Sequence, residues 1–202
     1  MITIIDYGMG NVGSIQNMLK KIGHNSIISS SISDIEKASK LILPGVGRFD
    51  SAMENLNTLQ LCDTIRQKAA TGFPLLGICL GMQILANSSE EGTNSGLGII
   101  PGEVKKFNLI SPYKVPHMGW NKVECTLDSA IFNGFNQFEE VRFYFVHAYY
   151  FTNTLSENCV GKTTYSHPFT SAVQNGNTFG VQFHPEKSHV FGMALLKNFA
   201  AL

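Results

Sequence analysis

Short apolar runs alternate with amphipathic segments through the first 90 residues of this 202-residue chain. The runs have the length and composition of buried strands: ITIID (2–6), NSIISS (25–30), KLILPG (40–45) and FPLLGI (73–78). Helices are predicted between and after them, at 15–23 with Gly23 as C-cap, 34–39 with Asp34 as N-cap, about 51–70 and 80 to about 88. Short connections in such an alternation predict a parallel sheet with helices on both faces.

The second half of the chain has a different pattern. After about residue 100, strand-like segments follow one another through turns, and helical character returns only at 190–202. We therefore expect a single α/β domain, 1–202, with a mostly parallel central sheet and an antiparallel extension in its C-terminal half.

Composition excludes several classes of protein. Hydrophobic residues make up 44% of the chain, enough for a sizeable core, and 15 basic residues balance 15 acidic ones. The charge balance argues against nucleic acid or an anionic membrane as partner. No signal peptide, membrane span, CxxC pair or zinc spacing is expected, so we predict a reduced, cytoplasmic protein without a metal site.

The segment PLLGICLGMQIL places Cys79 between Gly77 and Gly81, where a predicted strand meets a predicted helix. A Gly-x-Ser-x-Gly frame in the same position forces a sharp turn that exposes the serine. We predict that Cys79 is exposed in this way at a helix N-terminus, where the thiolate is favoured and the N–H of Leu80 faces a developing oxyanion. The alternative is a buried structural cysteine.

The segment GVQFHPEKS supplies a base for this thiol. His184 and Glu186 are two residues apart, so on an extended segment their side chains point the same way, and Pro185 favours that conformation. His184 is the candidate base and Glu186 the residue that orients it. The three residues predict a Cys79–His184–Glu186 triad, the alternative for His-Pro-Glu being a surface turn.

The stretches GICLGMQ, HPEKS and LPGVG resemble the class I, triad-type glutamine amidotransferases, whose fold is flavodoxin-like. DYGMGN (6–11), PHMGWN (116–121) and YFVHAYY (144–150) resemble, more narrowly, the glutaminase subunits of imidazole glycerol phosphate synthases. The resemblance runs nearly end to end. It implies that Cys79 attacks the side-chain amide of glutamine, releasing ammonia, and that water then cleaves the glutamyl thioester to glutamate.

The same resemblance implies further site residues. Gly45, Val46 and Gly47 would form the oxyanion strand, with Leu80 as the other donor. Gln83 and Glu91 would contact glutamine, together with the backbone near His147 and Ala148. Related chains often carry a hydroxyl residue where this chain has Ala148.

Ammonia would pass to a separate (β/α)8 cyclase subunit, which makes imidazole glycerol phosphate and an aminoimidazole carboxamide ribotide in histidine biosynthesis. The residues that would face this partner are Asn11, Met118, Trp120 and Lys187. A buried core position is the alternative for Trp120, the one tryptophan of the chain. Amide hydrolysis by a thiolate requires no metal or organic cofactor.

Three alternatives remain open at this stage. Gly8, Gly10 and Gly13 match the dinucleotide fingerprint, although no acid follows at the end of the second predicted strand. A stand-alone cysteine hydrolase or redox-sensing chaperone would explain the cysteine turn but not His184 and Glu186. A related amidotransferase subunit that serves amidination of a surface sugar would use the same glutaminase chemistry with another partner.

Overall fold

One large sheet runs through the molecule. The computed structural model describes residues 1–126, 128–153 and 155–202. The strands are β1 (Ile2–Ile5), β2 (Ser26–Ser29), β3 (Lys40–Gly45), β4 (Leu75–Cys79), β5 (Ser88–Ser89), β6 (Gly102–Lys106), β7 (His117–Lys122), β8 (Glu124–Cys125), β9 (Arg142–His147), β10 (Tyr149–Asn153), β11 (Cys159–Tyr165), β12 (His167–Asn175) and β13 (Thr178–Val181). The α-helices are α1 (Val12–Lys21), α2 (Ile32–Lys37), α3 (Phe49–Thr58), α4 (Leu61–Ala70), α5 (Leu80–Gln83) and α6 (His189–Ala201).

The strand order of the large sheet is β2-β1-β3-β4-β13-β12-β10-β6-β5, with β11 pairing β12 and β8. The pairs from β2 through β13 are parallel, and β12 and β10 continue the sheet antiparallel. The first five strands have the flavodoxin-like order, and the predicted antiparallel extension is confirmed. A separate two-stranded sheet joins β7 to β9.

Alternation along the central strands divides the core between the two faces of the sheet. Ile4 and Leu76 pack with α1 and α6, whereas Ile5 and Leu75 pack with α2, α3 and α4. These four side chains are at most 1% exposed. Because neighbouring residues of a strand point to opposite faces, an unbroken apolar run needs helices on both sides.

Three local predictions were wrong. The single helix at 51–70 is two helices, separated where Gln60 adopts a φ of 56°. The helix after Cys79 ends at Gln83, because carbonyls of 84–86 accept hydrogen bonds from the segment 97–99. Asp34 is no cap: α2 begins after Ser31, and the Asp34 carboxylate accepts a hydrogen bond of 2.6 Å from the Ser29 hydroxyl.

The last helix was predicted within a residue of where it begins, and it packs beside the triad segment 184–187. None of the helices in the described ranges is long and apolar enough to cross a bilayer.

Candidate active site

A strained turn carries Cys79. The residue ends β4 with a φ of 56° and a ψ of −111°, and α5 begins at the next residue. A Cβ on Gly81 would lie 1.8 Å from the Leu43 carbonyl oxygen, and one on Gly77 would lie 2.6 Å from the Gly81 carbonyl oxygen. Gly81 therefore allows the turn to press against β3, and Gly77 allows α5 to fold back closely on β4; the predicted strand-to-helix turn is confirmed.

The thiol is reached through a cavity rather than standing on an open surface. Cys79 is only 6% exposed and lines a cavity of about 210 Å³. The expectation of an exposed thiol was therefore too simple, because residues 146–149 cover the turn. The α5 helix has a single turn, so its dipole is small beside the direct contacts of the sulfur.

His184 and Glu186 form a buried pair. His184 Nδ1 lies 2.8 Å from Glu186 Oε1, and both side chains are 1% exposed. The segment 185–187 is a 3₁₀ turn, so the argument from an extended segment was wrong although the contact it predicted is present. Strand β9 holds this turn in place, because the backbone carbonyl of Tyr144 accepts a hydrogen bond from the His184 N–H. The Ser188 hydroxyl also donates a hydrogen bond to the His184 carbonyl.

The electrostatics of His184 suit a base paired with a thiol. Burial disfavours the imidazolium, but interaction with Cys79 and Glu186 outweighs burial, so the pKa of His184 is raised above its ordinary value. Within the described residues the Nε2 atom of His184 has no hydrogen-bond partner, so this atom is free to accept the proton of the Cys79 thiol. Asn11 adds a hydrogen bond of 3.4 Å to Glu186 Oε1.

The predicted oxyanion residues lie beside the nucleophile. Gly45 pairs with Cys79 in the β3–β4 register, and a Cβ on it would lie 2.7 Å from the Gly81 nitrogen. Val46, Gly47 and Leu80 line the same cavity. The structure thus brings together the backbone groups that the resemblance selected.

The predicted glutamine-binding residues also surround this cavity: Gln83, Glu91, His147 and Ala148. Gln83 Nε2 donates to the Tyr149 carbonyl over 3.0 Å, and a Glu91 oxygen accepts from the Phe49 N–H over 2.9 Å. The volume is below the roughly 300–1,000 Å³ of drug-sized pockets, so it suits a small metabolite.

Two buried histidine side chains form a pair that was not predicted, since His117 had no assigned role and His147 was expected to act through its backbone. His147 Nε2 lies 2.9 Å from His117 Nδ1, and His147 Nδ1 lies 2.8 Å from the Tyr149 carbonyl. Burial lowers the pKa of His117 to about 4 and that of His147 to about 3. Both are therefore neutral near pH 7, and the His147 side chain ties β7 to the segment that lines the cavity.

Gln182 was also missed. It is 0% exposed, and its Nε2 lies 3.8 Å from Cys79 Sγ. Alternation along a strand could not have identified it, because β13 ends at Val181 and residues 182–183 form a bend.

The residues predicted to face a partner have mixed exposure. Met118 is 62% exposed and Trp120 43%, which excludes the core position for Trp120. The Trp120 ring stacks on His189, and Lys187 is exposed with its ammonium 5.8 Å from the Tyr144 ring. Asn11 is half-buried because it reaches Glu186.

The glycine fingerprint packs against the site. Gly8 and Gly10 have positive φ, and a Cβ on Gly10 would lie 2.9 Å from Pro44 Cβ. This close approach to β3 gives Gly10 a packing role beside the predicted oxyanion strand, which supports the interpretation as a tight strand-to-helix connection.

The described ranges contain no cluster of three or more His, Cys, Asp or Glu side chains that could hold a metal ion. All four cysteines are free. The absence of a cofactor stays a prediction.

Comparison with known proteins decides the family. Residues 3–201 match the family model described as glutamine amidotransferase class-I. The chain belongs to the class I glutamine amidotransferases. Two solved structures share its fold: a glutamine amidotransferase (TM-score 0.76, 17% identity, 100% of both chains) and PurLQS from Thermotoga maritima (TM-score 0.75, 19% identity, 98% of this chain and 96% of that one).

Curated relatives narrow the assignment within the class I amidotransferases. The chain is 54% identical to imidazole glycerol phosphate synthase subunit HisH 2 of Methanococcus maripaludis, covering 98% of each chain. It is 47% identical to the protein of that name in Pseudomonas aeruginosa, covering 100% of each, and 48% identical to subunit HisH of Moorella thermoacetica, covering 100% of this chain and 94% of that one. The predicted subgroup is therefore confirmed.

Proposed function

We propose that this chain hydrolyses glutamine to glutamate and ammonia with Cys79 as nucleophile, and passes the ammonia to a cyclase subunit in histidine biosynthesis. The observation that carries the catalytic assignment is the arrangement of a strained cysteine turn beside a buried His184–Glu186 pair at 2.8 Å. Nothing but tertiary structure brings together Cys79 and a histidine 105 positions later in the sequence.

The residues have defined roles in the reaction. His184 Nε2 takes the Cys79 proton, and the thiolate attacks the side-chain amide carbon of glutamine. His184 then protonates the departing nitrogen, ammonia leaves, and His184 deprotonates the water that cleaves the thioester. Glu186 holds the imidazole in one tautomer and stabilises the imidazolium.

The tetrahedral intermediates carry a negative oxygen that needs donors. We assign this role to the N–H of Leu80 and to a peptide N–H within 45–47; the pairing of Gly45 with Cys79 and the presence of Val46 and Gly47 in the cavity lining support this assignment. Glu91 supplies a carboxylate for the glutamine ammonium, and Gln83 with the backbone of 147–148 holds the remainder of the substrate.

The proposed partner surface is defined as Asn11, Met118, Trp120 and Lys187. Exposed methionine and tryptophan side chains are characteristic of interface centres. Asn11 connects this surface to Glu186, so a (β/α)8 subunit seated here would lie against the triad. Cytoplasmic localisation stays a prediction.

The deciding experiment measures glutamate release from glutamine by the purified chain, alone and with the histidine-pathway cyclase subunit from the same genome and its phosphoribulosyl ligand. Strong stimulation by the cyclase supports both the glutaminase and its pathway. If a chain whose Cys79 still reacts with a glutamine-analogue electrophile is not stimulated, the histidine assignment is wrong. The surface-sugar alternative, which the names of the reported relatives do not favour, would then be tested with its own partner.

A further inference from the structure

Gln182 contacts the nucleophile from the side of the core. Its side chain is completely buried, and its Nε2 lies 3.8 Å from Cys79 Sγ, within hydrogen-bonding reach of sulfur. We propose that the Gln182 amide is a catalytic hydrogen-bond donor that stabilises the thiolate of Cys79. This inference rests on the proposed role of Cys79 as nucleophile.

The neighbouring groups fix which end of the Gln182 amide faces the sulfur. The Tyr149 carbonyl can only accept, so the Gln83 side chain must present its nitrogen there, at 3.0 Å. The same Gln83 nitrogen lies 3.0 Å from the Gln182 oxygen. A flipped Gln182 would set two NH₂ groups against each other, so its nitrogen is directed to Cys79.

The sulfur has a different partner in each protonation state. As a thiol it can donate to the Val146 carbonyl, which is 3.9 Å away. As a thiolate it can only accept, and the Gln182 N–H then forms a charge-assisted bond, which is the stronger kind. Because both side chains are almost completely buried, this bond contributes more than it would in solvent. Gln182 therefore favours the attacking form.

Other ionisable groups around Cys79 remain in place when Gln182 is changed. His184 and Glu186 lie on one side, and Glu91 lines the shared cavity. Tyr7 lies behind β3 and donates its hydroxyl to the Pro44 carbonyl over 2.7 Å; burial and the charge of Cys79 raise its pKa, so it stays neutral. A change in thiolate formation on substituting Gln182 is therefore attributable to the lost donor.

The test is the pH dependence of Cys79 alkylation in the Gln182→Met chain, which keeps the length of the side chain and removes the donor. Iodoacetamide forms an S–C bond with the thiolate and releases iodide, and the rate is followed by mass spectrometry on the Cys79 peptide because three other thiols are free. We expect half-maximal rate at a pH roughly one unit higher than in the wild type. Gln174→Met is the matched control, since that amide bonds Ser129 and Gly176 instead, and its profile should not move.

A second variant covers the case in which Gln182→Met does not fold. Gln83→Met releases the Gln182 amide to rotate, so we expect a smaller shift in the same direction. An unchanged profile in the folded Gln182→Met chain, or in Gln83→Met if only that one folds, would overturn the inference. Alkylation needs neither glutamine nor a partner, so this result is independent of whether the glutaminase assay succeeds.

Discussion

At the scale of single residues, Cys79 combines chemical reactivity with a backbone conformation that few side chains adopt. Its φ of 56° is held by the packing of Gly81 against β3, of Gly77 against Gly81, and by the Gly45–Cys79 pairing. Strain of this kind costs about 1–3 kcal/mol and persists only where the surroundings enforce it. The core of the sheet thus positions the sulfur before substrate arrives.

Replacing Cys79 with Ala should reduce glutamine hydrolysis by at least about 10³-fold, because removal of a nucleophile leaves only binding and oxyanion stabilisation. Glutamate release measured with the partner tests this, and binding of the partner should be unchanged. Cys62→Ala is the control, since that thiol is buried against Asn57 away from the cavity. Substantial turnover by Cys79→Ala would refute the mechanism.

At the scale of elements, the turn between β4 and α5 depends on backbone contact with β3. A Cβ on Gly81 has no space, since it would lie 1.8 Å from a carbonyl oxygen of Leu43. The strands must therefore separate, or the turn must move, to admit any side chain.

Gly81→Ala should lower the free energy of unfolding by about 3 kcal/mol or more, because losses of this size are typical of overpacking in the core. Gly13→Ala is the matched control: Gly13 lies in α1 with nothing within 4 Å of its Cβ position, so alanine should stabilise by about 0.5–1 kcal/mol. Urea unfolding measures both. Similar stability for the two variants would show that the turn tolerates a side chain.

The pairing of β7 with β9 brings together two neutral histidines, His117 and His147, which are hydrogen-bonded to each other. In the unfolded chain both histidines take up a proton as the pH falls below about 6.5. In the folded chain His117 takes up its proton only near pH 4, because its pKa is lowered to about 4. Stability should therefore fall as pH decreases through this interval.

His117→Phe should reduce that fall, since one of the two suppressed titrations is removed. At neutral pH it should cost about 1–3 kcal/mol, because His147 Nε2 loses its donor inside the protein. Urea unfolding between about pH 7 and about pH 4.5 measures both effects. With His24→Phe as control, an unchanged pH slope in His117→Phe would contradict the neutral pair.

At the scale of the whole molecule, the carboxyl ends of β3, β4 and β13 place the site at one edge of the sheet, and the proposed partner surface adjoins it. Trp120 lies there, 43% exposed, with its ring parallel to His189. The exposure predicts that its packing contributes more to assembly than to folding.

Trp120→Ala should therefore weaken binding to the cyclase subunit by roughly 30-fold or more, the loss typical of an interface anchor, and lower Tm by only a few degrees. Calorimetric titration and thermal unfolding give the two values. Phe73→Ala, a similarly exposed aromatic at the opposite end of β4, should leave binding unchanged. A large fall in Tm with unaltered binding would place Trp120 among structural residues instead.

The sequence by itself determined the parallel half of the sheet, the cysteine turn and the family, because these follow from local apolar runs, from glycine spacing and from short motifs. It did not determine where the helix after Cys79 ends, because residues 84–86 give their carbonyls to the distant segment 97–99. The glutamine contact of Cys79 was also not predicted, although its pairing with His184 was. Gln182 and Gln83 are 99 residues apart in the chain, and only the packing of β13 beside β4 brings their amides into one hydrogen-bond network at the sulfur.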